Sequence, residues 1–123
     1  MGFFVLKRER FEKLVAEAID ELPEQFQKRI ENVDVVVESK PSDEILKQQG
    51  ISPPGTLLGL YRGIPLEKRG VGYANVLPDR ITIYQKPLEM LCRSENEIKE
   101  KVREVFMHEL GHHFGMSEED LDR

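Results

Sequence analysis

The chain has 123 residues, 33% of them charged and 39% apolar, with 23 Asp plus Glu against 18 Lys plus Arg for a net charge of −5. This balance fits one soluble globular domain over 1–123 with a modest core, and excludes a fibre or a disordered chain. The acidic surplus disfavours phosphate backbones, so no nucleic-acid partner is expected. The single cysteine, Cys92, excludes an internal disulfide and points to a reducing compartment. The apolar opening "GFFVL" runs at once into "KRERFEK" and has no small-residue cleavage site. It is too short for a signal-peptide core, and no run approaches the ~20 apolar residues of a membrane helix. The expectation is a cytoplasmic protein without a membrane partner.

Between Lys7 and Leu22, Phe11, Leu14, Val15, Ala18, Ile19 and Leu22 recur at spacings of three and four, which predicts an amphipathic helix interrupted by Pro23. "PEQFQKRI" follows as a short helix opened by proline, with Phe26 and Ile30 toward the core. "VDVVVES" is β-branched and mostly apolar, hence a strand, and "KPSDEILKQQG" is a capped helical piece ending at Gly50. The stretch rich in Gly and Pro from 52 to 79 carries two strand-like segments, at 56–61 and around 64–67. "RITIY" at 80–84 alternates, placing Ile81 and Ile83 on one face, and "KPLEMLCR" is a short helix begun by Pro87. Ser94 and Glu97 form a capping box, behind which Ile98, Val102 and Val105 lead into Glu109 and His112 along one helix beginning near 95. "KRERFEK" and "EIKEKVRE" alternate charge, as solvated faces with i,i+4 pairs do. The fold class is therefore α+β.

All three histidines, His108, His112 and His113, fall within "HELGHH". His108 and His112 are four apart on a helix, so their rings leave the same face one turn apart and converge on one metal ion. Glu109 completes His-Glu-x-x-His, in which two imidazoles hold zinc and the glutamate reaches the metal-bound water without being a ligand. His113 points away from His112 and reads as a bystander. The ordinary alternative is a charged helix face, but here the apolar face runs into the motif at Val105. Two buried imidazoles without a metal would need other partners, at about 1–3 kcal/mol for each polar group left unpaired.

A third ligand requires the chain to turn back, and Gly115 tolerates the conformation in which helices commonly end. "MSEED" then supplies carboxylates, with Glu118 the first choice and Glu119 and Asp120 in reserve. "SEED" is equally what a helix start capped by Ser117 would contain. Cys92 has no histidine outside the cluster to act as its base, so a cysteine nucleophile is disfavoured and a buried thiol expected. Tyr61, Tyr73 and Tyr84 are candidate oxyanion donors among which the sequence does not choose.

"HELGHHFGMSEEDLD", with "TLLGLYRGIPL" and "LPDRITIYQKPLEMLC" upstream, resembles the bacterial minimal zincin-like metallopeptidases, from about residue 30 onward. The resemblance implies a compact core in which a small mixed sheet packs against the metal-bearing helix. It also implies one zinc ion bound by His108, His112 and an acidic residue at Glu118, and Glu109 as the catalytic carboxylate. The site departs from metzincins in its acidic third ligand and in lacking a Met-turn, since Met116 lies too close to the site. The implied activity is hydrolysis of a peptide or protein substrate, with Glu109 taking the proton of a zinc-acidified water and passing it to the leaving amine. A carboxylate ligand lowers the charge of the complex and so slows the chemistry. Two competing readings are a zinc-dependent endoribonuclease-like hydrolase, which would carry a third histidine and a basic stripe, and a metal-stabilised peptide-binding module with little turnover.

Overall fold

The structure is a computed structural model and describes residues 5–63 and 79–113. Among these residues lie five helices and a three-stranded mixed sheet, an α+β arrangement. In chain order they are α1 (Arg8–Asp20), α2 (Glu24–Arg29) with a 3-10 turn (Ile30–Asn32), β1 (Val33–Glu38), α3 (Asp43–Gln48), β2 (Gly59–Arg62), β3 (Asp79–Tyr84), α4 (Gln85–Leu91) and α5 (Glu95–His113). No helix among them is long and apolar enough to cross a membrane.

Local chemistry sets the helix ends. The Ser42 hydroxyl accepts from the Ile45 amide at 3.1 Å to start α3. Gly50 closes it at φ +71°, with Ile51 N–H donating to Leu46 C=O at 2.8 Å and Gly50 N–H to Lys47 C=O at 3.0 Å, a paired closure that uses the left-handed conformation glycine tolerates. At α5 the Ser94 hydroxyl accepts from the Glu97 amide at 3.1 Å, the expected cap. α4 starts at Gln85, two residues before Pro87. The proline therefore sits in the first turn, where its missing N–H has no intrahelical partner to lose.

Strand β3 is central, parallel to β1 and antiparallel to β2. Val35 and Val37 stand opposite Ile81 and Ile83 from one side, Tyr61 and Gly59 from the other. Ile81 and Ile83 are fully buried in a core with Phe11, Leu14 and Ala18 of α1 and Ile98, Val102, Phe106 and Leu110 of α5. Each fully buried Val, Leu, Ile or Phe side chain among them contributes about 1.5–3 kcal/mol. The strand expected at 56–61 begins only at Gly59 and extends to Arg62, while the segment around 64–67 lies outside the described residues.

Most charged residues of the two runs are exposed, as expected, but several pair across the helix interface instead of locally. Arg10 donates to Glu95, Lys99 reaches Glu17 and Glu21 at 3.5 Å each, and Arg103 meets Glu21 at 3.1 Å. The pairs run down α1 and α5 in the same direction and flank the apolar stripe that the two helices share. Within the runs, a local i,i+3 pair does form between Lys101 and Glu104 at 2.9 Å. Buried Gln85 and Glu89 of α4 are satisfied by the segment before α1: Gln85 Nε2 donates to Leu6 C=O and the Leu6 amide to Glu89 Oε2, both at 2.8 Å.

The Arg10 guanidinium holds the Glu95 carboxyl below its ordinary value of 4.5. A carboxyl lowered on folding stabilises fully above its unfolded value and loses that contribution as pH falls through the lower folded one. Glu95→Gln is therefore expected to lower Tm at pH 7, with the two melting curves converging as pH drops well below 4.5, as circular dichroism melts over a pH series would register.

Candidate active site

The site grows from the periodicity of α5. Ile98, Val102, Val105, Phe106 and Leu110 face the core, so positions 108 and 112, one step off that stripe, face outward. His108 and His112 are both exposed, their rings 5.8 Å apart between centroids and inclined by 21°. Two nearly parallel imidazoles one turn apart on an open helix face suit a borderline-soft cation such as zinc, to which nitrogen donors are natural ligands. Among the described residues no group of three His, Cys, Asp or Glu is arranged to hold a metal. Glu118, Glu119 and Asp120, the expected sources of a third ligand, lie outside the described residues.

Glu109 sits between the buried and exposed faces and is half-buried. Its Oε1 accepts from the backbone amide of Tyr61 on β2 at 3.3 Å. Burial is the largest influence on this carboxyl and pushes it above the ordinary carboxylate value, while the Tyr61 amide and then His112 and His108 pull it back. A carboxylate raised in this way is a better proton acceptor than a solvated one.

An open cleft of about 420 Å³ adjoins the pair. Leu57, Leu58 and Val105 give it an apolar lining, His108 and Glu109 belong to its wall, and Lys101 and Glu104, two turns and one turn earlier on α5, also line it. α5 contributes positions 101, 104, 105, 108 and 109, one face of a helix at spacings of three and four.

Of the three tyrosines, Tyr61 reaches the site through its backbone. Its hydroxyl donates to Asp79 Oδ2 at 2.7 Å. Tyr84 is buried, and Tyr73 lies outside the described residues. Sequence reasoning considered the tyrosine hydroxyls and overlooked this amide, since any residue at 61 supplies one. It also passed over Gly59, although an isolated glycine in a strand-like run signals a close backbone approach. Cys92 is a free, buried thiol, raised by desolvation, and does not line the cleft.

A family model described as zincin-like metallopeptidase matches residues 30–123. A solved structure, a conserved hypothetical protein from Thermus thermophilus, superposes with a TM-score of 0.56 at 24% identity, over 89% of this chain and 94% of that one. At that identity the likeness shows the fold. No curated protein matches the chain.

Because both imidazoles are exposed, His108→Ala and His112→Ala are each expected to change the stability of metal-free protein by no more than about 0.5 kcal/mol, as surface substitutions usually do. If the pair holds zinc, wild type at a thousand times its Kd should gain about 4.1 kcal/mol. Calorimetry with and without zinc should show that gain disappearing in both variants. Cys92 should resist a water-soluble disulfide reagent in native protein and react fully in denaturant. Rapid labelling of the native thiol would contradict its burial.

Proposed function

Given that the chain belongs to the zincin-like metallopeptidase family, we propose that it is a zinc-dependent peptidase acting on extended peptides with an apolar side chain near the cleaved bond. The observation that carries this reading is the half-buried Glu109 carboxylate between an exposed imidazole pair and a sheet edge, beside an apolar cleft.

His108 and His112 hold the metal together with an acidic residue of the 118–120 segment, Glu118 in first place. Bound there, zinc supplies Lewis acidity toward the carbonyl and acidifies a water to a pKa of about 7. The chain's own groups do the rest. The Tyr61 amide occupies Oε1 of Glu109, which leaves Oε2 to take a proton from the attacking water. Glu109 then returns that proton to the leaving nitrogen as the carbon–nitrogen bond breaks.

Substrate lies alongside β2, the edge strand of the described sheet, through backbone hydrogen bonds to Gly59, the Tyr61 amide being held by Glu109; such bonds read conformation instead of sequence. Selectivity comes from the cleft, whose Leu57, Leu58 and Val105 favour an apolar side chain. A carboxylate as third ligand reduces the charge at the metal and makes turnover slow. The single buried thiol suits work in a reducing, cytoplasmic setting.

Glu109→Gln should retain zinc and lose about 10²- to 10⁴-fold in peptide hydrolysis, the usual weight of a general base. Full activity in that variant would remove Glu109 from the mechanism. Metal content by mass spectrometry should be near-stoichiometric in wild type and lost in His112→Ala and Glu118→Ala. Retention of zinc by Glu118→Ala would move the third ligand to Glu119 or Asp120.

A further inference from the structure

The sheet register assigns each backbone group of β2 a side. Tyr84 N–H donates to Leu58 C=O at 3.0 Å, and in an antiparallel ladder the groups alternate in direction. Leu58, Leu60 and Arg62 therefore turn their amides and carbonyls toward β3. Gly59 and Tyr61, opposite Ile83 and Ile81, turn theirs away. The outward amide of Tyr61 is the one that reaches Glu109, at 3.3 Å. Ordinary N–H···O bonds run to about 3.2 Å, so this contact has little slack.

Gly59 stands two residues before Tyr61 and faces Val105 of α5. A Cβ built there would lie 2.6 Å from Val105 Cγ1 and 3.1 Å from Thr82 C=O. Carbon atoms pack at about 3.5–4.0 Å, so even alanine demands a separation larger by about 1 Å. The obstacles are stiff: a valine in a helix strongly prefers one χ1 rotamer, and the Thr82 carbonyl belongs to the central strand. β2 must therefore move, and a shift of that size carries the Tyr61 amide out of reach of Glu109.

We infer that Gly59 is a positioning residue for Glu109: its missing side chain lets β2 approach α5 closely enough for the Tyr61 amide to hold one carboxylate oxygen and aim the other into the cleft. The effect on hydrolysis rests on the peptidase reading; the effect on geometry does not.

The test is amide hydrogen exchange by NMR on zinc-supplied wild type, Gly59→Ala, Gly59→Ala/Val105→Ala and Glu109→Ala, with zinc content and peptide hydrolysis measured on the same samples. Gly59→Ala should raise the exchange rate of the Tyr61 amide about tenfold, as loss of one hydrogen bond does, while Ile83 and Phe106 keep their protection and zinc stays bound. Glu109→Ala should expose the same amide. Removing Val105 Cγ1 in the double variant should restore Tyr61 protection and, with it, the kcat that Gly59→Ala lost. If Gly59→Ala fails to fold, the double variant decides in the same way: a protected Tyr61 supports the inference and an exposed one overturns it. Unchanged Tyr61 protection in folded Gly59→Ala overturns it as well. Wild type without zinc or hydrolysis would sink the peptidase reading and leave the amide result standing.

Discussion

Helix α5 must face two ways. Ile98, Val102, Phe106 and Leu110 are buried without residual exposure, and the helix cannot turn to bury more of itself without drawing His108 and His112 out of solvent. The 3.6-residue repeat resolves the conflict by angle: core positions recur at spacings of three and four, and the histidines occupy the flanking stripe. Glu109 falls on the border between them, which explains how one side chain is partly desolvated and still touches an open cleft. The raised proton affinity of that carboxylate follows from its angular position on the helix.

Helix α1 and strand β2 hold α5 in this orientation from different sides. α1 packs its stripe of Phe11, Leu14 and Ala18 against it, flanked by the pairs Arg10–Glu95, Glu17–Lys99 and Glu21–Arg103. Ion pairs exposed to solvent stabilise weakly, so burial supplies the adhesion and the charges favour one sliding register over others. β2 fixes the rotation more tightly, because Gly59 meets Val105 without a side chain between them. A helix clamped in this way presents its imidazoles and its carboxylate with little freedom, as a site needs if its groups are to act on one bond together.

Much of the fold was legible in the chain. The stripe from Phe11 to Leu22, the Ser42 cap with Gly50 at the far end, the alternation of Ile81 and Ile83 and the Ser94–Glu97 cap all depend on interactions within a few residues, which sequence spacing reports directly. Element ends were less legible. β2 starts at Gly59 and not at 56, because a strand extends only as far as β3 offers partners. The charged runs were read as local pairs, whereas several of their partners lie across a helix interface.

By itself the sequence determined that His108 and His112 share a face and that Glu109 stands beside them, since helical geometry follows from spacing alone. It also disfavoured a cysteine nucleophile, for Cys92 has no histidine outside the cluster to act as its base. Only the tertiary structure decided that β2 runs alongside α5, that the Tyr61 backbone amide holds Glu109, that Gly59 lies against Val105, and that Leu57, Leu58 and Val105 form an apolar cleft. These contacts join residues about fifty positions apart through backbone groups and a missing side chain. The amide leaves no mark in residue type, and the glycine signals a close approach without naming its partner, so packing alone reveals which elements meet.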